Sequence, residues 1–179
     1  MSTAVGLVPV EGRASLPFAL LHGESLVAVA SWALGEAGVE LLDFTASWAE
    51  VREREAALVV HDPLCPATPV AFLAEAVEAA TSSGCVVVGV RPVTDTVAPV
   101  AGGILGPPVD RSGLVSVSSP VVLPVEVVAA LPDWPQPLDA PARLVAALRR
   151  CGEVVLLEAP PTARRVVDES DLALLEALA

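Results

Sequence analysis

One short apolar run that ends in a polar pair constrains the fold of this chain more than any other stretch. Residues 56–61 read AALVVH, and Asp62 and Pro63 follow directly. A strand without alternating polar residues is typical of a parallel sheet that is covered on both faces. Ligands of open α/β sheets bind just beyond the carboxyl ends of the strands. The run therefore predicts a buried strand that places the Asp62 carboxylate at a ligand-binding edge.

Strand-like and helix-like segments alternate along the chain, and this alternation indicates the fold class. It predicts an α/β fold of three layers, in which helices cover both sides of a mostly parallel sheet. We expect one domain of this Rossmann-like kind over residues 1–179. The expected strands are 4–10, 39–42, 56–61, 85–90 and 153–157, and the expected helices are 24–37, 46–55, 69–83, 124–131, 140–151 and 169–178.

Local signals refine these boundaries. Thr68, Asp139 and Asp168 stand where the N-caps of three helices are expected, because short oxygen-bearing side chains accept hydrogen bonds from the first turn. Residues 91–120 are rich in proline and glycine and carry only short apolar runs. We interpret that region as two short strands around an excursion, which predicts an arm that projects from the body at about residues 97–110.

The charge balance excludes some functions and limits others. The formal net charge is −12, and all ten basic residues are arginines. A nucleic-acid partner is not expected, because nucleic-acid binding needs a basic face. No mechanism that depends on a lysine can operate on this chain. No apolar run approaches the ~18 residues of a membrane span, and the N-terminus has no basic region of a signal peptide, so we expect a cytoplasmic protein without a membrane partner.

The three cysteines have neither disulfide nor metal-ligand spacing. Cys85 opens an apolar run and is expected in the core, whereas Cys65 follows Asp62 in a loop where it could be an exposed thiol. The two histidines are too few for a metal site without carboxylates. Metal binding is therefore expected only where a carboxylate such as Asp62 takes part.

Five segments in the same order resemble the motifs of one family, the 2-C-methyl-D-erythritol 4-phosphate cytidylyltransferases. His61–Pro66 is similar to H-D-A-A-R-P, Pro92–Val97 to P-V-x-D-T-(V/M/I), and Asp110–Leu114 to D-R-(N/S/T)-G-L. Ser118–Val121 stands where that family has x-T-P-Q, and Arg164–Ala173 follows N-x-K-(I/V)-T-x-x-x-D-L-A. Each segment alone is weak, but the shared order and spacing over residues 56–179 indicate descent from that family.

The resemblance implies a nucleotidyltransferase-like sheet with a CTP pocket at the strand ends and an arm that forms a homodimer. In the family, a polyol phosphate attacks the α-phosphate of CTP and pyrophosphate leaves, in a pathway to isoprenoid precursors. This reaction brings several phosphate groups together, so cations must offset the developing negative charge. The family uses Mg²⁺, one arginine and two lysines, which makes Mg²⁺ the expected cofactor if this chain is active.

The chain departs from the family where those cations are needed. Glu11 puts a negative charge into the loop at residues 11–17, the first loop of the chain, where the family has a glycine-rich phosphate cradle. Phe18 occupies the place of the first lysine, and Arg165 that of the second. The chain is also shorter than the family's usual length, with the missing part near residues 40–57. Further family positions for an arginine, a lysine and a glutamine are taken by Cys65, Ala98 and Val121.

The resemblance still assigns candidate site residues. Arg13 and Arg165 are the catalytic candidates, and Asp62 is also the candidate metal ligand. Some assignments have a structural alternative: Asp62 could cap the turn before Pro63, and Arg111 could pair with Asp110 or a neighbouring acid. Asp95 and Thr96 could be ordinary turn residues. The substrate-binding candidates are Asp62, Asp95, Thr96, Arg111 and Ser119.

Three hypotheses on function follow from this mixture. The first is a degenerate cytidylyltransferase homologue with a non-catalytic binding or assembly role. The second is an active nucleotidyltransferase that uses arginines and a metal ion. The third is a sensor that binds a small phosphorylated ligand such as a sugar phosphate. An open cleft lined by arginines would favour the second hypothesis, and a cleft plugged by Phe18 or crossed by Glu11 would favour the first.

Overall fold

The computed structural model describes residues 4–43 and 45–178, and its centre is a six-stranded sheet. The strands of that sheet lie in the order β10-β6-β9-β5-β1-β4. Two further pairs, β2 with β3 and β7 with β8, form separate small ladders. The strands are β1 Ala4–Leu7, β2 Leu20–Leu21, β3 Glu24–Ser25, β4 Glu40–Leu41, β5 Ala57–Val60, β6 Val86–Pro92, β7 Val100–Ala101, β8 Ile104–Leu105, β9 Val115–Leu123 and β10 Val154–Glu158.

The sheet is mixed but mostly parallel, which confirms the predicted fold class. β1 pairs in parallel with β4 and β5, and β6 pairs in parallel with β10. Only β9 runs antiparallel, between β5 and β6. Sequence reasoning missed β9 as one long central strand, because its serines and Pro120 interrupt the apolar pattern and proline is unusual inside a sheet.

Helices cover both faces of the sheet and close two main cores. On one face α1 and α3 pack through Leu34, Leu73 and Ala76. On the other face α2, α4 and α5 pack through Val51, Val127 and Leu144. The helices are α1 Leu26–Glu36, α2 Trp48–Glu53, α3 Val70–Ser83, α4 Val125–Ala130, α5 Pro141–Leu148 and α6 Glu169–Leu178. Among the described residues, no helix is long and apolar enough to span a lipid bilayer.

Two of the three predicted N-caps are wrong. Thr68 donates its hydroxyl hydrogen to the Cys65 carbonyl at 2.7 Å, and α3 begins after Pro69 instead. Asp139 does not cap α5, whose N-cap is Ala140 without a side-chain hydrogen bond. Asp168 does cap the last helix, because its Oδ1 accepts from the Ser170 amide at 2.9 Å.

The arm predicted near residues 97–110 is a hairpin. β7 and β8 pair antiparallel at its tip. Two backbone bonds continue the ladder towards its base, from Gly106 N to Pro99 O at 2.8 Å and from Val109 N to Val97 O at 2.7 Å. The hairpin leaves the sheet between β6 and β9, and its apolar side chains are largely exposed.

Candidate functional site

The Asp62 carboxylate lies at the carboxyl end of β5, where it is buried between two arginines. Its Oδ1 accepts from Arg13 Nε at 3.1 Å and from the Leu64 amide at 3.0 Å. Its Oδ2 accepts from Arg165 Nη1. The bond from Leu64 is the turn-capping role that the sequence left open for Asp62. The carboxylate therefore stabilises a turn and neutralises two cations at the same time.

Arg13 is used as an internal link between three segments of the chain. Its side chain is only 2% exposed. Besides Asp62, it donates from Nη1 to the Glu11 carbonyl at 3.1 Å and from Nη2 to the Leu138 carbonyl at 2.7 Å. All three nitrogens of the guanidinium are thus occupied by protein oxygens. The residue holds the first loop and the connector at residues 132–139 against the end of β5.

The C-terminal tail brings Arg165 to the same carboxylate. Ser118 on β9 donates to the Ala163 carbonyl, and the Val166 amide donates to the Leu64 carbonyl at 2.6 Å. These bonds seat the segment 163–166 beside the turn after β5. The Arg165 side chain remains 31% exposed, so it is the more accessible of the two arginines.

Ser119 lies in the interior beneath this arrangement. Its Oγ accepts from the Asp62 amide at 2.9 Å and lies 2.6 Å from His61 Nδ1. Burial lowers the pKa of His61 to about 4, and the nearby Asp62 charge only partly opposes that shift. His61 Nε2 has no partner among the described residues. Ser119 is 1% exposed and His61 is fully buried, so neither reaches a solvent-facing ligand in this geometry.

The cysteine expectations are wrong in both cases. Cys65 is fully buried behind Asp62, and burial raises the pKa of its thiol to about 12. A thiol in that state is neutral and unreactive. Cys85 is half-buried and lies outside the core clusters, since it stands just before β6 starts.

Arg111, Asp95 and Thr96 lie at the base of the arm, apart from the Asp62 cluster. Arg111 Nη1 donates to the Thr94 carbonyl, and Asp110 instead accepts from the Ser112 amide at 3.0 Å. No ion pair joins Arg111 to Asp110 in the described part of the chain. Arg111 also lines a cavity of about 450 Å³ with Ser112 and Glu158. Asp95 and Thr96 are exposed.

A larger cavity lies over the carboxyl ends of β1 and β4, between the first loop and the 132–139 connector. Its volume is about 560 Å³. Part of its lining is apolar, with Leu7, Leu42 and Leu138 among the residues there, and Trp134 lies on the connector side. The charged side chains that line it are Glu11, Asp43 and Asp139, and the described lining contains no arginine.

This cavity answers the question about the cleft only in part. Glu11 does line it, as the non-catalytic hypothesis expects, but Phe18 does not plug it. Phe18 is 58% exposed in a short 3₁₀ turn at Leu16–Phe18. Sequence reasoning missed Trp134 as a lining residue because it interpreted residues 132–137 only as a rigid connector, and it missed Asp139 because it assigned that residue as a helix N-cap. A tryptophan between two prolines was the available signal.

The residues at Asp62 do not fit a divalent cation in this arrangement. Magnesium needs oxygen ligands with free lone pairs, whereas both Asp62 oxygens already face guanidinium groups. Within residues 4–43 and 45–178, no group of three or more histidine, cysteine or acidic side chains is placed to hold a metal ion. The metal role of Asp62 stays a prediction without support from this geometry.

Comparison with solved structures identifies the same architecture from end to end. A 2-C-methyl-D-erythritol 4-phosphate cytidylyltransferase from Thermus thermophilus is 25% identical, with a TM-score of 0.71 over 99% of this chain and 98% of that one. The enzyme from Francisella tularensis is 12% identical, with a TM-score of 0.70 over 99% and 100%. A search of curated proteins finds no match.

The family model for 2-C-methyl-D-erythritol 4-phosphate cytidylyltransferase matches residues 45–179, which is most of the chain. That range contains the five segments whose order suggested the resemblance. The fold, the arm and the placement of Asp62 at the end of β5 agree with the match. The chain therefore belongs to the 2-C-methyl-D-erythritol 4-phosphate cytidylyltransferase family.

Proposed function

We propose that this chain is a non-catalytic member of its family, with a binding or assembly role in place of cytidylyl transfer. The observation that carries the proposal is the engagement of both candidate catalytic arginines by Asp62. Transfer to CTP needs cations that face the phosphates as charge develops. Here three of the five N–H groups of Arg13 donate to protein oxygens, and its side chain is only 2% exposed, so a phosphate has little access to the other two.

The cavity at the strand ends adds to the same argument. Its charged lining residues are carboxylates, and a triphosphate would meet them at close range. Like charges in a partly enclosed site repel more strongly than in bulk water. Losing one preorganised donor typically costs ~3–4 kcal/mol, or a factor of about 10²–10³ in rate. The loss of several, together with added carboxylates, leaves no appreciable turnover.

The test is a pyrophosphate-release assay with Mg²⁺, CTP and 2-C-methyl-D-erythritol 4-phosphate. The Thermus thermophilus relative, assayed in parallel, is the positive control. We expect no release above background from this chain, and no rise in its melting temperature with Mg²⁺ and CTP. A nucleotide present at 100 times its Kd would add about 2.7 kcal/mol to the free energy of unfolding, and a thermal melt resolves a change of that size readily.

Catalytic turnover would contradict the proposal and favour the active alternative, in which arginines and Mg²⁺ carry out transfer to a polyol phosphate. Under that alternative Arg165 leaves Asp62 when substrate binds, and Asp62→Ala abolishes the release of pyrophosphate. The matched control is Glu75→Gln, which removes an exposed carboxylate on α3 that does not line the cavity. Equal activity of both variants would exclude a catalytic role for Asp62.

A ligand with a phosphate group is a second candidate, supported by the separate cavity at the base of the arm. Arg111 and Ser112 line that cavity, although Asp110 and Glu158 line it too. A melt with 2-C-methyl-D-erythritol 4-phosphate alone, in the wild type and in Arg111→Gln, tests it. Stabilisation that depends on Arg111 would support a sensor, and no stabilisation in either protein would exclude one for this ligand.

We also propose a homodimer that forms through the arm, in the cytoplasmic location that the sequence predicts. Three side chains near the tip of the hairpin are largely exposed, with Val100 at 66%, Ile104 at 74% and Leu105 at 71%. An isolated two-stranded hairpin is marginally stable in water, so a second copy is the simplest cover for this surface. Light scattering on Ile104→Asp should report a monomer with unchanged circular dichroism, whereas Glu75→Gln should stay dimeric. A monomeric wild type would refute the dimer.

A further inference from the structure

We infer that the cavity between the first loop and the 132–139 connector binds a small organic cation with a flat apolar body. The inference rests on the proposed loss of nucleotide binding and names the ligand class of that same cavity. Its volume of about 560 Å³ lies within the range of small-molecule sites. Its position beyond the carboxyl ends of β1 and β4 is where open α/β sheets bind ligands.

The walls favour an apolar body. Leu7, Leu42 and Leu138 supply aliphatic surface, and Trp134 supplies an aromatic ring. Trp134 is held in place by Trp48, with ring centroids 5.2 Å apart and planes inclined by 53°. The Trp48 indole is itself fixed, because its Nε1 donates to the Leu131 carbonyl at 3.0 Å. A tryptophan fixed in this way is a suitable partner for a cation, since its ring face attracts positive charge.

The charges select the sign of the ligand. Asp43 accepts from the Thr45 amide and hydroxyl at 2.8 and 2.7 Å, and these bonds lower the pKa of its carboxyl and keep it ionised. The carboxylates of Glu11 and Asp139 form no ion pair with any described residue. Arg13 does not neutralise them, because it faces Asp62 and backbone carbonyls.

The Asp139 carboxylate, although exposed, packs against the first loop. Gly12 has a φ of +72°, and a β-carbon added to it would lie 2.7 Å from both Cβ and Oδ2 of Asp139. The carboxylate therefore packs directly on the loop backbone, where only glycine leaves room for it. Arg13 holds the two segments together through the Leu138 carbonyl, next to Asp139. The negative charge of Asp139, on the connector, thus lies against the first loop, which itself carries Glu11.

The experiment uses three probes of nearly the same shape and different charge: benzamidine, benzamide and benzoate. Each is titrated into the full-length protein at low ionic strength and followed by protein NMR. We expect saturable binding of benzamidine in the millimolar range, with shifts at Leu7, Gly12 and Trp134. An exposed ion pair contributes up to about fivefold in affinity, so three carboxylates should separate benzamidine from benzoate by about tenfold or more.

Matched variants decide whether the cavity carboxylates cause the preference. Glu11→Gln combined with Asp139→Asn should reduce the ratio of benzamidine to benzoate affinity by about four- to twentyfold. The control pair, Glu75→Gln with Glu78→Gln, removes the same charge from the exposed face of α3 and should leave the ratio unchanged. The inference would be overturned by equal affinity for the three probes, by chemical-shift changes outside the cavity, or by no saturable binding of benzamidine. Equal effects of the two variant pairs would overturn it as well.

A parallel titration with Mg²⁺ and CTP separates this inference from the proposed function. If CTP saturates the cavity and benzamidine does not, both fail. If neither binds, only the inference fails. If benzamidine binds and CTP does not, both are supported.

Discussion

The Asp62 cluster predicts that Asp62→Asn destabilises the fold far more than removal of an exposed acid. The substitution keeps the size of the side chain and an oxygen for the Leu64 amide, so it isolates the loss of charge. Arg13 and Asp62 are 2% and 5% exposed in their side chains, so Arg13 would be left as a buried cation without its counter-charge. Breaking such a pair from one side typically costs ~3–5 kcal/mol.

Arg165 contributes less to this cost. Its side chain is 31% exposed, so water can replace much of the interaction that it loses. Exposed pairs are typically worth up to ~1 kcal/mol. Domains of this kind have total stabilities of ~5–15 kcal/mol. Asp62→Asn should therefore remove a large share of the stability, whereas Arg165→Gln should remove about a fifth or less.

Urea unfolding followed by tryptophan fluorescence measures these differences, because Trp48 and Trp134 lie in the core and at its edge. The control is Glu40→Gln, which breaks a pair with Arg54 whose side chains are 47% and 48% exposed, and should cost at most ~1 kcal/mol. A double-mutant cycle of Asp62→Asn with Arg13→Met should give a smaller loss than the sum of the single losses. If Asp62→Asn costs no more than Glu40→Gln, the buried network does not stabilise this fold.

Three further predictions concern stability. The pKa of His61 is about 4 in the folded state against an ordinary 6.5. The unfolded state therefore binds a proton that the folded state does not, and the free energy of unfolding should fall by about 2 kcal/mol from pH 6.5 to pH 4.5. His61→Gln should lose this part of the pH dependence, and a wild-type slope in that variant would refute the prediction. A β-carbon on Gly89 would lie 2.6 Å from the Ser119 carbonyl oxygen, so Gly89→Ala should cost ~1–3 kcal/mol in urea unfolding, and an unchanged midpoint would contradict that close approach. Ser47 and Glu50 form a capping box at the start of α2, so Ser47→Ala should cost ~1 kcal/mol in a thermal melt, and a neutral effect would show that α2 is held by packing alone.

The sequence predicted the layers of the fold because burial on both faces leaves a local signature. Residues 56–60 and 85–90 are continuous apolar runs, and they form two strands of one sheet, β5 and β6, with β9 between them. Helix ends were predictable where one residue decides them, as at Gly84, whose φ of +67° ends α3. The helix starts were not predictable at Thr68 and Asp139, because these side chains make other contacts. Thr68 donates to the Cys65 carbonyl, and Asp139 packs against Gly12.

β9 was not predicted because the residues that satisfy its polar side chains are distant in sequence. Its serines are polar, but Ser118 and Ser119 are bonded to Ala163 and His61, which lie far away in the sequence. A polar residue with such partners can be buried without a large cost. No local pattern contains those partners, so only the assembled structure explains the long antiparallel strand.

The sequence identified the residues of the candidate site but not the ion pairs between them. Asp62, Arg13 and Arg165 were all identified, but as separate contacts to a ligand. The structure joins them to one another. The acidic cavity nearby was not predicted, because its carboxylates come from three segments that the fold brings together.

These findings separate two kinds of residue that a motif match combines. Arg13 and Asp62 match the family pattern, yet each is buried and each satisfies the charge of the other. Replacing Asp62 alone would leave Arg13 as an uncompensated buried charge, at a cost of several kcal/mol. Replacing Arg13 alone would leave Asp62 with only the partly exposed Arg165 as its counter-charge. Such residues would be retained for stability whether or not the protein catalyses a reaction. Ligand chemistry is therefore better inferred from side chains that line the cavity without an ion-pair partner, such as Glu11 and Asp139. Their negative charge opposes the binding of a nucleoside triphosphate.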